Sequence, residues 1–435
     1  MLKYWQIQYS LQMYAEIVLP MGHQNQFRSL TYRIPEGMEE TIKVGSTAHV
    51  SMRNRTHTGL VIELHDRTIN FAAKDILTSK DTGSILSHWQ IELARWIADY
   101  YMAPLYTVFK VMLPGQVWNT KRKIPYLQAF ERTKIEIPAK MRAKQLELIK
   151  KFEQKNKWAR EELSEFSLAT FRSLEKRQLI SEIEGGIKRA EILIPTNKKS
   201  ELKTLSPEQK KIKESILNSK QQRFLIHGVT GSGKTEIYLQ VAQEVVKNGK
   251  QVILMAPEIS LTPQLIEYFS EHFGNRIAVL HSQLSQGERE REWWRIQTGE
   301  ARVVIGSRSA VFAPTQELGL IIMDEEHEWS YKQDSTPFYH ARSVAFEIAK
   351  LTNAKVVLGS ATPSIETMYS AQKKEIEYFE LKNRILLDQQ LPNVELVDMR
   401  EELQKKNMSI FSDALYQQLQ ETFARKKQAI LFLNR

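Results

Sequence analysis

Eight residues, Gly228-Val229-Thr230-Gly231-Ser232-Gly233-Lys234-Thr235, restrict this chain more than any other stretch. They follow an apolar run, Phe224-Leu225-Ile226, and lead into Glu236-Ile237-Tyr238-Leu239-Gln240-Val241-Ala242, whose spacing is helical. A strand, a glycine-rich loop and a helix N-terminus are the setting in which G-x-x-x-x-G-K-[ST] cradles a polyphosphate. Glycines let the backbone wrap the phosphates, and the loop N–H groups converge where the helix dipole favours negative charge. The expected nucleotide set is therefore Gly228, Thr230, Gly231, Ser232, Gly233, Lys234, Thr235 and Glu236. Lys234 would reach the β- and γ-phosphates of ATP, and Thr235 would hold Mg²⁺.

About ninety residues on, the apolar run Leu318-Gly319-Leu320-Ile321-Ile322-Met323 ends in Asp324-Glu325-Glu326-His327. Ligands of open α/β sheets sit beyond the carboxyl ends of the strands, so acids at this tip would face the phosphate loop. Asp324 is expected on the metal side and Glu325 as the group that polarises the attacking water, with Lys234 completing the catalytic set. A strand or helix cap is the plainer reading of Asp324.

Length allows about three domains in 435 residues. No apolar run approaches bilayer length and the N-terminus has no signal-peptide pattern, so a cytoplasmic protein with no membrane partner is expected. Zero cysteines exclude a disulfide framework or a thiolate zinc site within this chain. The formal charge is +10, and residues 115–200 hold 20 Lys and Arg against 11 Asp and Glu. Such an excess suits a polyanionic partner, or simply a solvated face.

Along the chain, residues 15–19, 30–34, 47–51 and 59–64 read as short strands of a small barrel or sandwich, with a basic loop over 52–58 that either touches phosphates or is simply a solvated hairpin. Helical spacing then places Trp89, Leu93, Trp96, Ile97 and Tyr100 on one face, its Trp and Tyr residues read as core in preference to a base-stacking platform, and a second apolar segment covers 107–113. Residues 144–152, 158–166 and 167–177 read as three short helices, with a strand over 178–183, a winged-helix pattern. Residues 194–200 read as a linker. Ser206-Pro207 opens a helix in which Gln209 stands where an adenine-reading glutamine would be, or is simply an exposed polar residue. Strands over 252–255, 277–280, 303–305 and 356–358 alternate with helices, which makes a doubly wound α/β sheet.

With GVTGSGKTEIY, APEISLTPQ, HSQLSQGER, GSRSAVFAP, DEEHEWSYKQ, YHARSVA and GSATPSIET in this order, the chain resembles the PriA-type replication-restart DNA helicases of superfamily two. The resemblance implies a β-rich 3′-DNA-binding domain over 1–115, a winged helix over 116–199 and a RecA-like lobe over 200–385. It implies ATP-driven 3′→5′ unwinding at stalled or repaired forks and initiation of primosome assembly. Forked and single-stranded DNA, primosome proteins and single-stranded-DNA-binding protein are the implied partners. His327, Ser360 and Thr362 are implied as residues that couple ATP to DNA. Trp329, Tyr331, Lys332, Phe338, Tyr339 and Arg342 resemble the family's aromatic-rich loop, whose rings and cations suit single-stranded DNA. The rival readings are a translocase that moves on duplex without unwinding it and a fork-binding scaffold with an ATP switch.

Three departures carry expectations. Thr31 precedes Tyr32 where the family often has an acid, so a free 3′-end should be favoured only modestly. Phe338 and Ser343 replace the usual Arg and Asp of the aromatic loop. Residues 386–435 read as the start of a second lobe, with its next strand over 428–435. The chain is thus expected to be a fragment that turns ATP over poorly. The arginine finger and the zinc module implied by the resemblance are expected in a C-terminal part outside it.

Overall fold

The computed structural model describes residues 12–20, 29–79, 84–118, 129–133, 141, 143–154, 157–159, 166–182, 202–258, 263–384 and 393–433. The chain divides into two compact units, residues 1–385 and 386–435.

The first unit begins with β1 (Tyr14–Val18), β2 (Leu30–Arg33), β3 (Thr47–Met52), β4 (Arg55–His65) and β5 (Ile76–Thr78). They form an antiparallel sheet of order β2-β1-β4-β3-β5. The four expected strands are present, and β5 is an additional one. Ala15, Ile17, Tyr32, Val50 and Val61 pack into its core, whereas Thr31 faces outward. The stretch 52–58 is the hairpin that is one of its two readings. Arg53 and Asn54, at φ 48° and 59°, make a two-residue hairpin turn of the kind that needs positive φ at both positions, and strand resumes at Arg55.

Two helices follow, α1 (His88–Tyr100) and α2 (Leu105–Met112). Leu93 and Ile97 are buried, Trp89 and Trp96 are half-buried, and Tyr100 is 61% exposed. Tyr100 therefore departs from the expected core face. As the last residue of α1 it stacks on Trp96 instead of reaching the interior.

Next come β6 (Ala129–Arg132), α3 (Ala143–Gln154), β7 (Lys157–Ala159), α4 (Leu168–Lys176) and β8 (Ile180–Glu182). The strands form an antiparallel sheet of order β7-β6-β8, and Leu148, Ile149, Phe152, Phe171 and Leu174 make the small core. The helices expected over 144–152 and 167–177 are there, the second capped by Ser167. Where a helix is expected over 158–166, residues 158 and 159 are strand, because pairing with β6 satisfies the main chain across the sheet, and residues 160–165 lie outside the described residues. The described residues thus show two helices on three strands, not the three helices and ribbon of a winged helix. The basic triplet Lys121-Arg122-Lys123, the linker 194–200 and residues 259–262 of APEISLTPQ lie outside the described residues.

The remainder of the unit runs α5 (Pro207–Asn218), β9 (Arg223–Gly228), α6 (Lys234–Lys247), β10 (Gln251–Met255), α7 (Pro263–Phe273), β11 (Ile277–Leu280), α8 (Gln286–Gln297) and β12 (Val303–Gly306). It ends with β13 (Leu318–Met323), α9 (Ala341–Thr352), β14 (Lys355–Ser360), α10 (Ile365–Gln372) and β15 (Glu377–Leu381). The seven strands are all parallel, in the order β11-β12-β10-β13-β14-β9-β15. This is the expected RecA-like α/β lobe, following a small antiparallel β-rich domain.

Strand parity builds two cores. Leu320 and Ile322 pack with Ile212, Ile237 and Phe269 of α5, α6 and α7. Ile321 and Met323 pack on the other face with Val344 and Ile348 of α9, and that layer also takes in Ile91, Ala94 and Ile97 of α1 and Val108 and Phe109 of α2. A strand covered on both faces has no polar side, which is why β13 reads as one apolar run.

The second unit contains α11 (Met399–Gln404) and α12 (Asp413–Ala424). The strand expected over 428–435 is absent through residue 433. Ile430 and Phe432 are exposed, and no neighbouring strand pairs with this segment among the described residues. No helix among the described residues is long and apolar enough to cross a membrane.

Candidate active site

The phosphate loop leaves β9 at Gly228 and enters α6 at Lys234. Gly231 and Gly233 sit at φ 82° and 84°, the left-handed region that a side chain disfavours. Lys234 is buried and its Nζ donates to the Gly228 carbonyl at 2.7 Å. Thr235 is half-buried in the first turn of α6, and Thr230 is exposed on the loop. The Ser232 hydroxyl is buried without a hydrogen-bond partner among the described residues.

Gln209 and Glu236 brace this loop. Gln209 accepts the Ser206 N–H through Oε1, at 2.9 Å, and donates from Nε2 to the Ser232 carbonyl, at 3.0 Å. Both ends of its amide are thus engaged within the protein, and the side chain is buried. Glu236 is buried too and accepts hydrogen bonds from Gln240 and the Tyr268 hydroxyl.

Asp324 follows β13 directly, and its N–H continues the sheet by donating to the Met255 carbonyl at 2.9 Å. Its Oδ1 accepts the Tyr238 hydroxyl at 3.0 Å, while the Tyr331 hydroxyl donates to its main-chain carbonyl at 2.6 Å. Burial, and then the neighbouring Glu325 charge, push the Asp324 carboxyl above its ordinary range. Burial followed by the Asp324 charge pushes the Tyr238 phenol well up, so it stays a donor. Tyr238 can stand so close only because residue 359 is glycine. A Cβ there would lie 1.6 Å from the phenol oxygen.

Glu325 adopts φ 45°, a left-handed backbone that costs a non-glycine residue about 1–3 kcal/mol and gathers at functional sites. It is held by a turn in which the Glu328 N–H donates to its carbonyl at 3.0 Å. His327 Nδ1 lies 2.8 Å from the Ser360 hydroxyl and 3.6 Å from Glu325. Ser360 is buried and also accepts the Thr362 N–H, at 2.9 Å. The acidic turn and the segment after β14 are therefore in direct contact.

The aromatic loop divides. Trp329 is 74% exposed, Phe338 is 48% exposed and Lys332 is exposed, whereas Tyr331 and Tyr339 are buried. In this structure neither buried ring can stack on a base. Tyr331 fixes Asp324 and Tyr339 packs edge-on to Phe312. Arg342 is not a free cation either. It donates to Glu326 at 2.6 Å, to Ser364 at 2.5 Å and to Thr367 at 2.7 Å. Glu326 has essentially no exposed surface and further accepts the Ser364 N–H at 2.7 Å. A buried carboxylate needs such a partner, and it captures the guanidinium. Sequence reasoning passed over Glu326, Tyr238 and Gly359. The only signal for them was proximity to motifs whose other residues stood out.

Residues 206–370 match the DEAD/DEAH box helicase family, and residues 16–114 match the 3'DNA-binding domain (3'BD). The Replication restart protein PriA of Bacillus subtilis is 34% identical over 97% of this chain and 62% of its own length. The protein of that name from Chlamydia muridarum is 34% identical over 98% of the chain and 59% of its own length. Over nearly its whole length the chain is thus similar to PriA replication restart proteins. It spans about three-fifths of the length of these PriA relatives. Among solved structures, the Pyrococcus furiosus Hef helicase domain matches 40% of the chain, and 37% of its own, at 24% identity and a TM-score of 0.32.

Proposed function

We propose that this chain is the fork-engaging, nucleotide-binding part of an ATP-dependent 3′→5′ DNA helicase that acts at stalled or repaired replication forks and starts primosome assembly. The observation that carries the reading is the contact of His327 with Ser360, which joins the acidic turn of the nucleotide site to the segment read as DNA-coupling.

The site suits a magnesium nucleotide. The buried Ser232 hydroxyl lacks a partner among the described residues, and Asp324 is pushed up by burial and by Glu325, a condition that a cation would relieve. Thr235 and Asp324 would hold Mg²⁺, which neutralises charge on the phosphates when bound. Lys234 would bind the phosphates, and Glu325 would orient and polarise the attacking water. Trp329, Lys332 and Phe338 are the loop residues available to single-stranded DNA. Primosome proteins and single-stranded-DNA-binding protein are the proposed assembly partners, in the cytoplasm.

The test is ATP hydrolysis and strand displacement on forks, with this chain and with a protein of the relatives' full length. The reading requires DNA-stimulated hydrolysis and 3′→5′ displacement by the longer protein. Hydrolysis without displacement would favour a translocase, and fork binding without multiple turnover would favour a scaffold.

A further inference from the structure

We propose that Tyr100 and its neighbours form a second stacking surface for single-stranded nucleic acid, at the seam between the β-rich domain and the lobe and adjoining the aromatic loop. The proposal rests on the reading that the chain engages DNA.

Tyr100 lies flat on Trp96, with ring centroids 4.9 Å apart and planes 16° from parallel. One face of Tyr100 is thereby covered, yet the residue is 61% exposed, so its other face is open to a planar ligand. The Tyr101 ring meets it edge-on at 4.8 Å, and Met102, 92% exposed, follows. Scattered exposed hydrophobic residues need no explanation, but an adjoining group does.

The loop reaches this group directly. The Lys332 ammonium lies 5.3 Å from the Tyr101 ring centroid and donates to the Phe338 carbonyl. The Tyr101 hydroxyl in turn accepts the His340 N–H at 3.1 Å. A stacked pair with one open face, beside a cation held over a ring, matches a ligand with planar bases and an anionic backbone. Duplex DNA offers no free base face at such a surface, and a purely apolar ligand would gain nothing from Lys332. The seam also joins the segment matching a 3'DNA-binding domain to the segment matching a helicase, so a strand passing between them would cross it.

The test compares binding of a short oligothymidylate with that of an abasic strand of equal length and charge. Tyr100→Ala should weaken oligothymidylate binding by about fivefold or more, the scale of one lost base–aromatic stack. It should leave abasic binding and the salt slope unchanged, because no phosphate contact is removed. Tyr100→Phe should bind like the wild type, and 5-iododeoxyuridine in the strand should crosslink to the peptide containing Tyr100. Equal losses on both strands, or no loss on either, would overturn the proposal. If oligothymidylate binding depends on Trp329 or Lys332 but not on Tyr100, only this inference falls. If the wild type binds neither strand, the DNA-engaging reading falls with it.

Discussion

The Thr31 hydroxyl donates to Oε1 of Glu16, its partner across the β1–β2 pair, at 2.5 Å. The same carboxylate accepts the Ser29 hydroxyl at 2.6 Å and lies 3.3 Å from His65 Nε2. Burial alone would raise the Glu16 carboxyl, but the hydrogen bonds from Ser29, Thr31 and His65 outweigh it and hold the group below its ordinary range. The outer face of this sheet therefore carries the negative charge that Thr31 itself lacks.

That charge changes the expected behaviour towards DNA ends. A carboxylate repels a terminal phosphate more than a hydroxyl. Wild type should therefore prefer a fork with a 3′-hydroxyl to one with a 3′-phosphate, and Glu16→Gln should reduce the preference several-fold. Binding of the two matched forks is the measurement. A preference unchanged in Glu16→Gln would remove Glu16 from end discrimination.

Lys234 forms no ion pair among the described residues, and its position rests on the loop carbonyl. Lys234→Ala should bring DNA-stimulated ATP hydrolysis of the relatives' full-length protein to background. Fork affinity without nucleotide should be nearly unchanged, because the Lys234 ammonium is buried on the Gly228 carbonyl inside the loop and presents no charged surface to DNA. Parallel loss of fork binding would show that the loop is structural.

Arg342→Ala would leave Glu326 charged, buried and unpaired, a situation that typically costs about 3–5 kcal/mol. A large drop in unfolding free energy is expected, measured by denaturant titration. Glu326→Gln combined with Arg342→Met should be less damaging than Arg342→Ala, since no bare charge remains. A cost below about 1 kcal/mol, the range of exposed ion pairs, would contradict this account of the pair.

His340 sets a pH dependence. Its Nδ1 accepts the Arg342 N–H at 3.2 Å, and its pKa is lowered to about 4 by burial, then by Arg342 and Lys332, against weaker opposing effects of Glu326 and Glu366. The folded value lies below the ordinary 6.5, so the unfolded chain binds the extra proton first. Stability from this group is complete above about pH 6.5 and is lost as pH falls towards about 4. His340→Asn, which can still cap α9, should flatten the fall in melting temperature between those values. An unchanged slope would assign the fall to other groups.

The lobe was largely legible because phosphate chemistry fixes residue types at fixed spacing. The P-loop glycines, Lys234 and the acids after β13 announce themselves, and buried parallel strands read as unbroken apolar runs. The aromatic loop was less so. Tyr331 and Tyr339 look identical in sequence to exposed stacking residues, and only packing shows that they are interior. β15 was missed because Glu377-Tyr378-Phe379-Glu380-Leu381 mixes polar and apolar residues at the sheet edge. The start of the helix expected from Trp158 is strand instead, because a short segment follows its strand partner more than its own spacing.

The core shared by α1, α2 and α9 bears on how such proteins can be cut and recombined. The family boundary near residue 114 marks where homology is divided, whereas hydrophobic packing is continuous across it. A protein ended at residue 200 would leave Ile91, Ile97 and Phe109 facing water in place of Val344 and Ile348. Exchanging the N-terminal segment between relatives would therefore need the matching α9 to travel with it, as two halves of one inherited surface.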